Sequence, residues 1–184
     1  EERIDSLFQI IKEELKRRRK ELSGGTFRQY KNQYKGEKEG KKNELPLVLI
    51  VLDGFTEFCE VTYQKYEETL HMLLREGEKL GILIIMTVDS FSSICISMRL
   101  SELFKTKICF YMKETYSYTE ALNVMQIPVL PQQGIPGRGI TFYRGKILEF
   151  QTALAVKEKN DYKRQERIKQ MLEREKYVDR QTSL

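Results

Sequence analysis

The residue best placed to do chemistry is Asp53, which follows six unbroken apolar residues, Leu47–Leu52, and precedes Gly54. A run of that length, rich in Val and Ile, predicts a strand buried on both faces. A carboxylate at the carboxyl end of such a strand lies where open α/β sheets place their ligands, and it can hold Mg²⁺ on a nucleotide there. The competing interpretation is structural, because an Asp after a strand often only begins a turn.

A second apolar segment, Ile82–Val88, also leads into a carboxylate, Asp89. The cysteines and the histidine give less support to a functional site. The three cysteines are far apart and show no C-x-x-C spacing, which is typical of free thiols and supports neither a zinc site nor a disulfide framework. The single histidine, His71, lies beside the apolar face of a predicted helix and is interpreted as structural.

The composition is that of a soluble globular chain: of 184 residues, 40% are hydrophobic and 32% are charged. No apolar run approaches the roughly 20 residues of a membrane-spanning helix. The net charge of +5 permits contact with nucleic acid or an anionic surface without requiring it. The basic run Arg17–Lys20 ends a predicted helix, where the helix dipole favours cations, so it is interpreted as solvated and no clear nucleic-acid site is predicted.

Apolar periodicity predicts the elements that position these residues. Helices are expected over the first 22 residues, Phe27–Tyr34, Tyr63–Leu80, Ser97–Phe104 and Tyr118–Met125, and strands over Leu47–Leu52, Ile82–Val88, Lys107–Met112, Ile140–Tyr143 and Lys146–Leu154. Alternating strands and helices with short connections imply right-handed crossovers and a parallel sheet covered by helices. The last two strands flank Arg144-Gly145, which predicts a terminal hairpin.

The end of the chain differs in composition from the rest. Asn160-Asp161 can cap a helix running to about Lys176, with only Ile168, Met171 and Leu172 to bury. We therefore expect one module over residues 1–156 and a charged helical linker or tail over residues 157–184.

Four stretches, in their order and spacing, resemble the FtsK/SpoIIIE family of hexameric P-loop motor ATPases, and within it the modules of the type VII secretion coupling protein. They are LFQIIKEELKRRRKEL, LPLVLIVLDGFTEF, LLREGEKLGILIIMTVDS and IPGRGITFYRGKILEFQTAL. The second stretch is similar to the family's Walker B pattern. The fourth, with its Pro-Gly-Arg-Gly loop and hairpin, is the most particular to the secretion branch.

This resemblance implies an α/β, three-layer RecA-like P-loop NTPase fold, with a mostly parallel sheet flanked by helices, a C-terminal hairpin, and the N-terminal P-loop part absent from this chain. It assigns Asp53 to the Walker B aspartate and Mg ligand, Asp89 to a sensor position, and Arg138 to the arginine of the Pro-Gly-Arg-Gly loop at a nucleotide site. It implies ATP and Mg as ligands, and neighbouring ATPase modules in a hexameric assembly and exported helical proteins as partners. The implied location is cytoplasmic, in the soluble part of a membrane-anchored secretion complex.

The departures from the family pattern argue against catalysis by this chain. Gly54 stands where the family has the Glu that activates the attacking water, and Glu78 stands where it has an arginine. Loss of a positioned general base lowers a rate by about 10²- to 10⁴-fold. No G-x-x-x-x-G-K-[ST] phosphate-binding loop occurs in the sequence.

Three functions remain open on this reasoning. The first is a degenerate ATPase module of a secretion coupling protein, which acts through module–module contacts in the recognition and translocation of exported proteins. The second is an active motor ATPase, for protein export or DNA translocation, whose P-loop lies upstream of residue 1. The third is a non-enzymatic α/β interaction domain. The first is favoured because Gly54 and the missing loop oppose the second, although hydrolysis stays uncertain.

Overall fold

The computed structural model describes residues 2–34, 45–62, 65–89 and 96–174. Seven helices and five strands alternate along these ranges: α1 Glu2–Leu22, α2 Phe27–Tyr34, β1 Val48–Leu52, α3 Phe55–Thr62, α4 Glu67–Leu80, β2 Ile82–Met86, α5 Met98–Ser101, β3 Ile108–Phe110, α6 Thr115–Leu122, β4 Arg138–Tyr143, β5 Lys146–Gln151 and α7 Asp161–Arg174. The predicted α/β class and terminal hairpin are confirmed. The predicted end of the last helix near Lys176, like Cys95, lies outside the described residues.

Strands β1 and β2 form a parallel pair, in a register that runs from Val48 opposite Ile82 to Leu52 opposite Met86. One face of the pair packs against α1 and α4, because the apolar stripes of these amphipathic helices need a partner. Two clusters form there, one around Phe8, Phe55, Tyr66 and Leu70 and the other around Leu15, Leu45, Leu73 and Ile82.

The opposite face of this pair is exposed, which corrects the expectation of burial on both faces. Leu49, Val51 and Ile85 are 54%, 55% and 50% exposed. Residues on a strand alternate between its two faces, and only the face of Val48, Ile50 and Leu52 lies against helices. An apolar run indicates that a strand can be buried on both faces. It does not show whether another element covers the second face.

Strands β3, β4 and β5 form a second, antiparallel sheet in the order β3-β4-β5. The β4–β5 turn is closed by Arg144 and Gly145, with φ of 49° and 78°. Among the described strands only β1 and β2 pair in parallel, so the sheet is less parallel than the alternation of elements predicted. Strand β3 has only three residues and its partner β4 arrives about thirty residues later, a pairing that local patterns do not reveal.

The segment after Gly54 was not predicted to be helical but forms α3, and α4 begins at Glu67, later than the predicted Tyr63. Helix α3 follows a residue with φ of 70° at Gly54, which turns the chain sharply out of β1. The N–H of Phe55 then donates to the carbonyl of Thr87 at 2.9 Å. This contact holds the start of α3 against the end of β2.

A buried cation, Arg18, fastens α1 to the rest of the module. Its side chain is 0% exposed, and it donates hydrogen bonds to the carbonyls of Leu80 at 2.9 Å and Pro46 at 2.6 Å. It also pairs with Glu14 at 2.6 Å. Buried charges persist only when they are paired and hydrogen-bonded, so these contacts fix α1 against both the end of α4 and the approach to β1.

Candidate functional site

The carboxyl ends of β1 and β2 bring Asp53 and Thr87 together. Because Leu52 lies opposite Met86, the next residue on each strand, Asp53 or Thr87, falls at the same edge of the sheet. The Thr87 hydroxyl donates to Asp53 Oδ1 and accepts a hydrogen bond from the N–H of Gly54 at 3.1 Å. Both side chains are exposed.

Sequence reasoning missed Thr87. The signal was present as the single hydroxyl residue inside the apolar run ILIIMTV, near the end of the strand that the run predicts. The predicted sensor, Asp89, lies two residues further on, is exposed, and has no described hydrogen bond to Asp53. A sensor role for Asp89 stays a prediction.

Gly54 adopts a backbone conformation that disfavours any other residue. Its φ is 70°, in the left-handed region where an L side chain costs roughly 1 to 2 kcal/mol. Among the described residues, apart from its chain neighbours, the atom within 4 Å of a Cβ built there is Glu57 Oε2, at 4.0 Å. Space for a side chain therefore exists at position 54, but the backbone there is fitted to glycine, and a carboxylate from the first turn of α3 lies near that space.

Arg138 lies on β4, at the other sheet. Its Nη1 is 3.5 Å from Glu149 Oε2, and its buried Nε has no hydrogen-bond partner among the residues that the structure describes. The side chain borders a shallow pocket shared with Tyr111, Pro136 and Thr152. Within the described ranges no hydrogen bond or ion pair joins Arg138 to Asp53, so its nucleotide-binding role stays a prediction.

Glu78, where the resemblance predicts an arginine, is on the exposed side of α4 and forms an ion pair with Lys105. Both side chains are more than half exposed, at 62% and 77%, so the pair contributes little to stability.

A cavity of about 470 Å³ lies between β2 and β3. Asp89, Lys107 and Cys109 are among its lining residues. Burial raises the pKa of the Cys109 thiol to about 11, and burial also lowers the pKa of Lys107, whose Nζ donates to Ser101 Oγ at 2.9 Å. The thiol is therefore protonated and a weak nucleophile near neutral pH.

The described residues do not by themselves form a site for Mg-ATP. Asp53 offers one carboxylate oxygen to a cation, yet no group of three acidic, histidine or cysteine side chains comes together in the part of the chain that the structure describes. The sequence contains no phosphate-cradling loop, and without one the charge of a triphosphate has no row of backbone N–H groups to meet. No chemical step through ATP can therefore be assigned to this chain alone.

The sequence matches no family model, and no curated protein matches it. Solved structures do. EssC (ATPases 2 and 3) from Geobacillus thermodenitrificans is 25% identical with a TM-score of 0.75, over 95% of this chain and 31% of that one. The cytoplasmic domain of the type VII secretion ATPase EccC of Thermomonospora curvata is 20% identical with a TM-score of 0.65, over 86% and 18%. The pCW3 conjugation coupling protein TcpA, in a monomer form with ATPγS, is 16% identical with a TM-score of 0.62, over 79% and 42%.

The strand ends that carry Asp53 and Thr87, the flanking helices and these structural matches define a RecA-like P-loop ATPase fold. Within that class, the resemblance to a module of the type VII secretion protein EssC/EccC, first seen in four sequence stretches, is confirmed. The chain spans less than half the length of each of these solved chains. In the described ranges no helix combines the length and apolar character needed to cross a bilayer.

Proposed function

We propose that this chain is a degenerate ATPase module of a type VII secretion coupling protein. It keeps the P-loop ATPase fold but does not hydrolyse ATP efficiently. It acts through contacts with neighbouring modules in a hexameric assembly, on the cytoplasmic side of a membrane-anchored complex, and so contributes to recognition and translocation of exported helical proteins. The structural similarity to EssC and EccC supports the assignment to a type VII secretion system.

The observation that carries the degenerate assignment is Gly54 beside Asp53. The residue has no carboxylate, and its φ of 70° opposes the insertion of one. A water molecule at this edge of the sheet therefore meets the Asp53 carboxylate, which is already hydrogen-bonded to Thr87, but no base at the position next to it. Loss of such a base lowers a hydrolysis rate by about 10²- to 10⁴-fold.

One observation favours an active ATPase as the second candidate. Glu57 Oε2 lies 4.0 Å from where a Cβ of residue 54 would be, so a carboxylate reaches the neighbourhood of the missing side chain from α3. In that alternative Glu57 would serve as the base, and a P-loop elsewhere in the protein would hold the phosphates.

ATP hydrolysis by the full-length protein separates the two candidates. We expect turnover at this module far below the order of 1 per second that is normal for competent phosphoryl-transfer enzymes, and no change with Asp53→Ala or Glu57→Gln. Glu60→Gln, on the exposed side of the same helix, is the matched control. Turnover near 1 per second that both Asp53→Ala and Glu57→Gln abolish, with Glu60→Gln unaffected, would overturn the proposal.

A secretion assay tests the role in export. Cells carrying Asp53→Ala should export substrate at the wild-type level, because no chemistry is assigned to this carboxylate. Cells carrying Arg18→Met, which disrupts the packing of α1, should lose export. Loss of export with Asp53→Ala, while the variant protein stays folded and abundant, would show that the site is used.

A further inference from the structure

The short helix α5 is attached to its neighbours by apolar and polar contacts. Leu100 is 2% exposed and packs in the apolar cluster that contains residues of α1, α3 and α4. Ser97, the N-cap of α5, donates through its Oγ to Glu67 Oε1 of α4 at 2.5 Å. At the other end of the helix, Ser101 accepts a hydrogen bond from Lys107, which leads into β3. Helix α5 therefore contacts both α4 and the approach to β3.

A second polar contact between α4 and α5 joins His71 to Arg99. Arg99 Nε donates to His71 Nε2 at 3.0 Å, and Arg99 Nη1 lies 3.3 Å from Glu68 Oε1. An arginine side chain only donates hydrogen bonds, so the imidazole nitrogen that faces it must be the unprotonated acceptor. His71 is therefore neutral in this contact, with its proton on Nδ1.

Protonation of His71 removes this contact. An imidazolium has no acceptor nitrogen, and its Nε2–H would face the guanidinium, a second cation. The charged groups around the contact come from both helices: Glu67 and Glu68 lie one turn before His71 on α4, Arg75 lies one turn after it, and Arg99 faces it from α5. Carboxylates three or four residues before a cation on a helix attract it. The imidazolium would therefore pair with Glu68, which Arg99 then loses.

Among the described residues, the other ion pairs of α4 lie away from this position. Arg19 of α1 pairs with Glu76 at 2.6 Å, and Glu76 is five residues after His71, about 140° around the helix. Lys105 pairs with Glu78, about two turns after His71. Histidine is the side chain whose charge ordinarily changes between about pH 5 and 8, and His71 is the single histidine of the sequence. In that range His71 is the titrating member of the contact between α4 and α5.

We propose that His71 is a pH-dependent switch for the attachment of α5 to α4. Near neutral pH, His71 and Glu68 share Arg99 and hold α5 in place. As the pH falls, the imidazolium takes Glu68, Arg99 is released, and α5 is held by its apolar contacts and by Ser97. The attachment is therefore stronger at neutral pH and weakens in mild acid. Because α5 also contacts the approach to β3, the change reaches both sheets.

Amide hydrogen exchange on the purified full-length protein, read in peptides that cover α5, tests this switch. The amides of Ser101 and Glu102 donate to the carbonyls of Ser97 and Met98, both at 2.9 Å, so their protection reports local opening of α5. From about pH 7.5 to about pH 5.5, after correction for the intrinsic exchange rate, we expect this protection to fall about threefold to tenfold, which is what one net hydrogen bond is worth. Protection in the second half of α4 should stay constant.

Three variants separate His71 from other titrating groups. His71→Gln supplies an amide oxygen that accepts a hydrogen bond at either pH, and Arg99→Gln removes the cation, so neither should show the fall. Arg75→Gln removes an exposed cation one turn from His71; it is the matched control and should show the wild-type fall. No fall in the wild type, a fall that persists in His71→Gln or Arg99→Gln, or its loss in Arg75→Gln would rule the switch out. The measurement needs no nucleotide, so its result is independent of whether the module hydrolyses ATP.

Discussion

The hydroxyl of Thr87 bridges Asp53 and the N–H of Gly54, donating to the carboxylate and accepting from the amide at 3.1 Å. A single side chain at the end of β2 therefore holds the turn that leaves β1. The geometry around Asp53 is therefore set in part by the neighbouring strand.

Replacing Thr87 with valine should loosen this turn. Thr87→Val keeps the shape of the side chain but removes both hydrogen bonds, and we expect a loss of about 1 kcal/mol of unfolding free energy. Urea denaturation measures it. Thr56→Val, in the first turn of α3, is the control; equal midpoints for the two variants would contradict a bridging role for Thr87.

The adjacent arginines of α1 offer a matched comparison of buried and exposed charge. Arg18 is 0% exposed and Arg17 is 47% exposed. Arg18→Met leaves the carbonyls of Leu80 and Pro46 without their donor, and we expect a loss of about 3 kcal/mol or more. Arg17→Met should cost less than about 1 kcal/mol. Similar losses for the two variants in urea denaturation would refute the clamping role of Arg18.

Lowering the pH should reduce the free energy of unfolding, because protonation of Glu14 weakens its ion pairs with Arg17 and Arg18. Hydrogen bonds from Arg17, and then Arg18, hold the pKa of Glu14 below its ordinary value of 4.5. A depressed pKa contributes stability that is present above the ordinary pKa and is lost as pH falls through the folded-state value. Urea midpoints at pH 7 and pH 3 should therefore differ less in Glu14→Gln than in the wild type. Glu13→Gln, whose parent side chain contacts Gln9, should leave the difference unchanged.

Two glycines with positive φ allow the cost of backbone strain to be measured separately from the cost of close packing. Gly24 has φ of 86°, and no described atom beyond its chain neighbours lies within 4 Å of a Cβ built there. Gly81 has φ of 75°, and a Cβ there would lie 2.4 Å from the Phe27 ring. Gly24→Ala should cost about 1 kcal/mol through strain alone. Gly81→Ala should cost about 1 to 3 kcal/mol more through overpacking, and Phe27→Leu should recover part of the excess. Thermal or urea denaturation of Gly24→Ala, Gly81→Ala, Phe27→Leu and the Gly81→Ala/Phe27→Leu double variant provides the measurement.

Sequence reasoning located the candidate carboxylates because a buried strand followed by a polar residue is a local pattern. It located neither the Thr87 contact nor the start of α3, since both depend on the register between β1 and β2 and on the turn at Gly54. It also expected burial on both sides of Leu49 and Val51. The apolar residues show that both faces of the strand could be buried. Whether the second face is in fact covered depends on elements that are distant in the sequence, and among the described residues it is exposed.

The contacts of Arg18 have a mechanical consequence. The Arg18 guanidinium forms an ion pair with Glu14 of α1 and donates a hydrogen bond to the carbonyl of Pro46, just before β1. A displacement of α1 would therefore have to break this hydrogen bond or carry along Pro46, which lies two residues before β1.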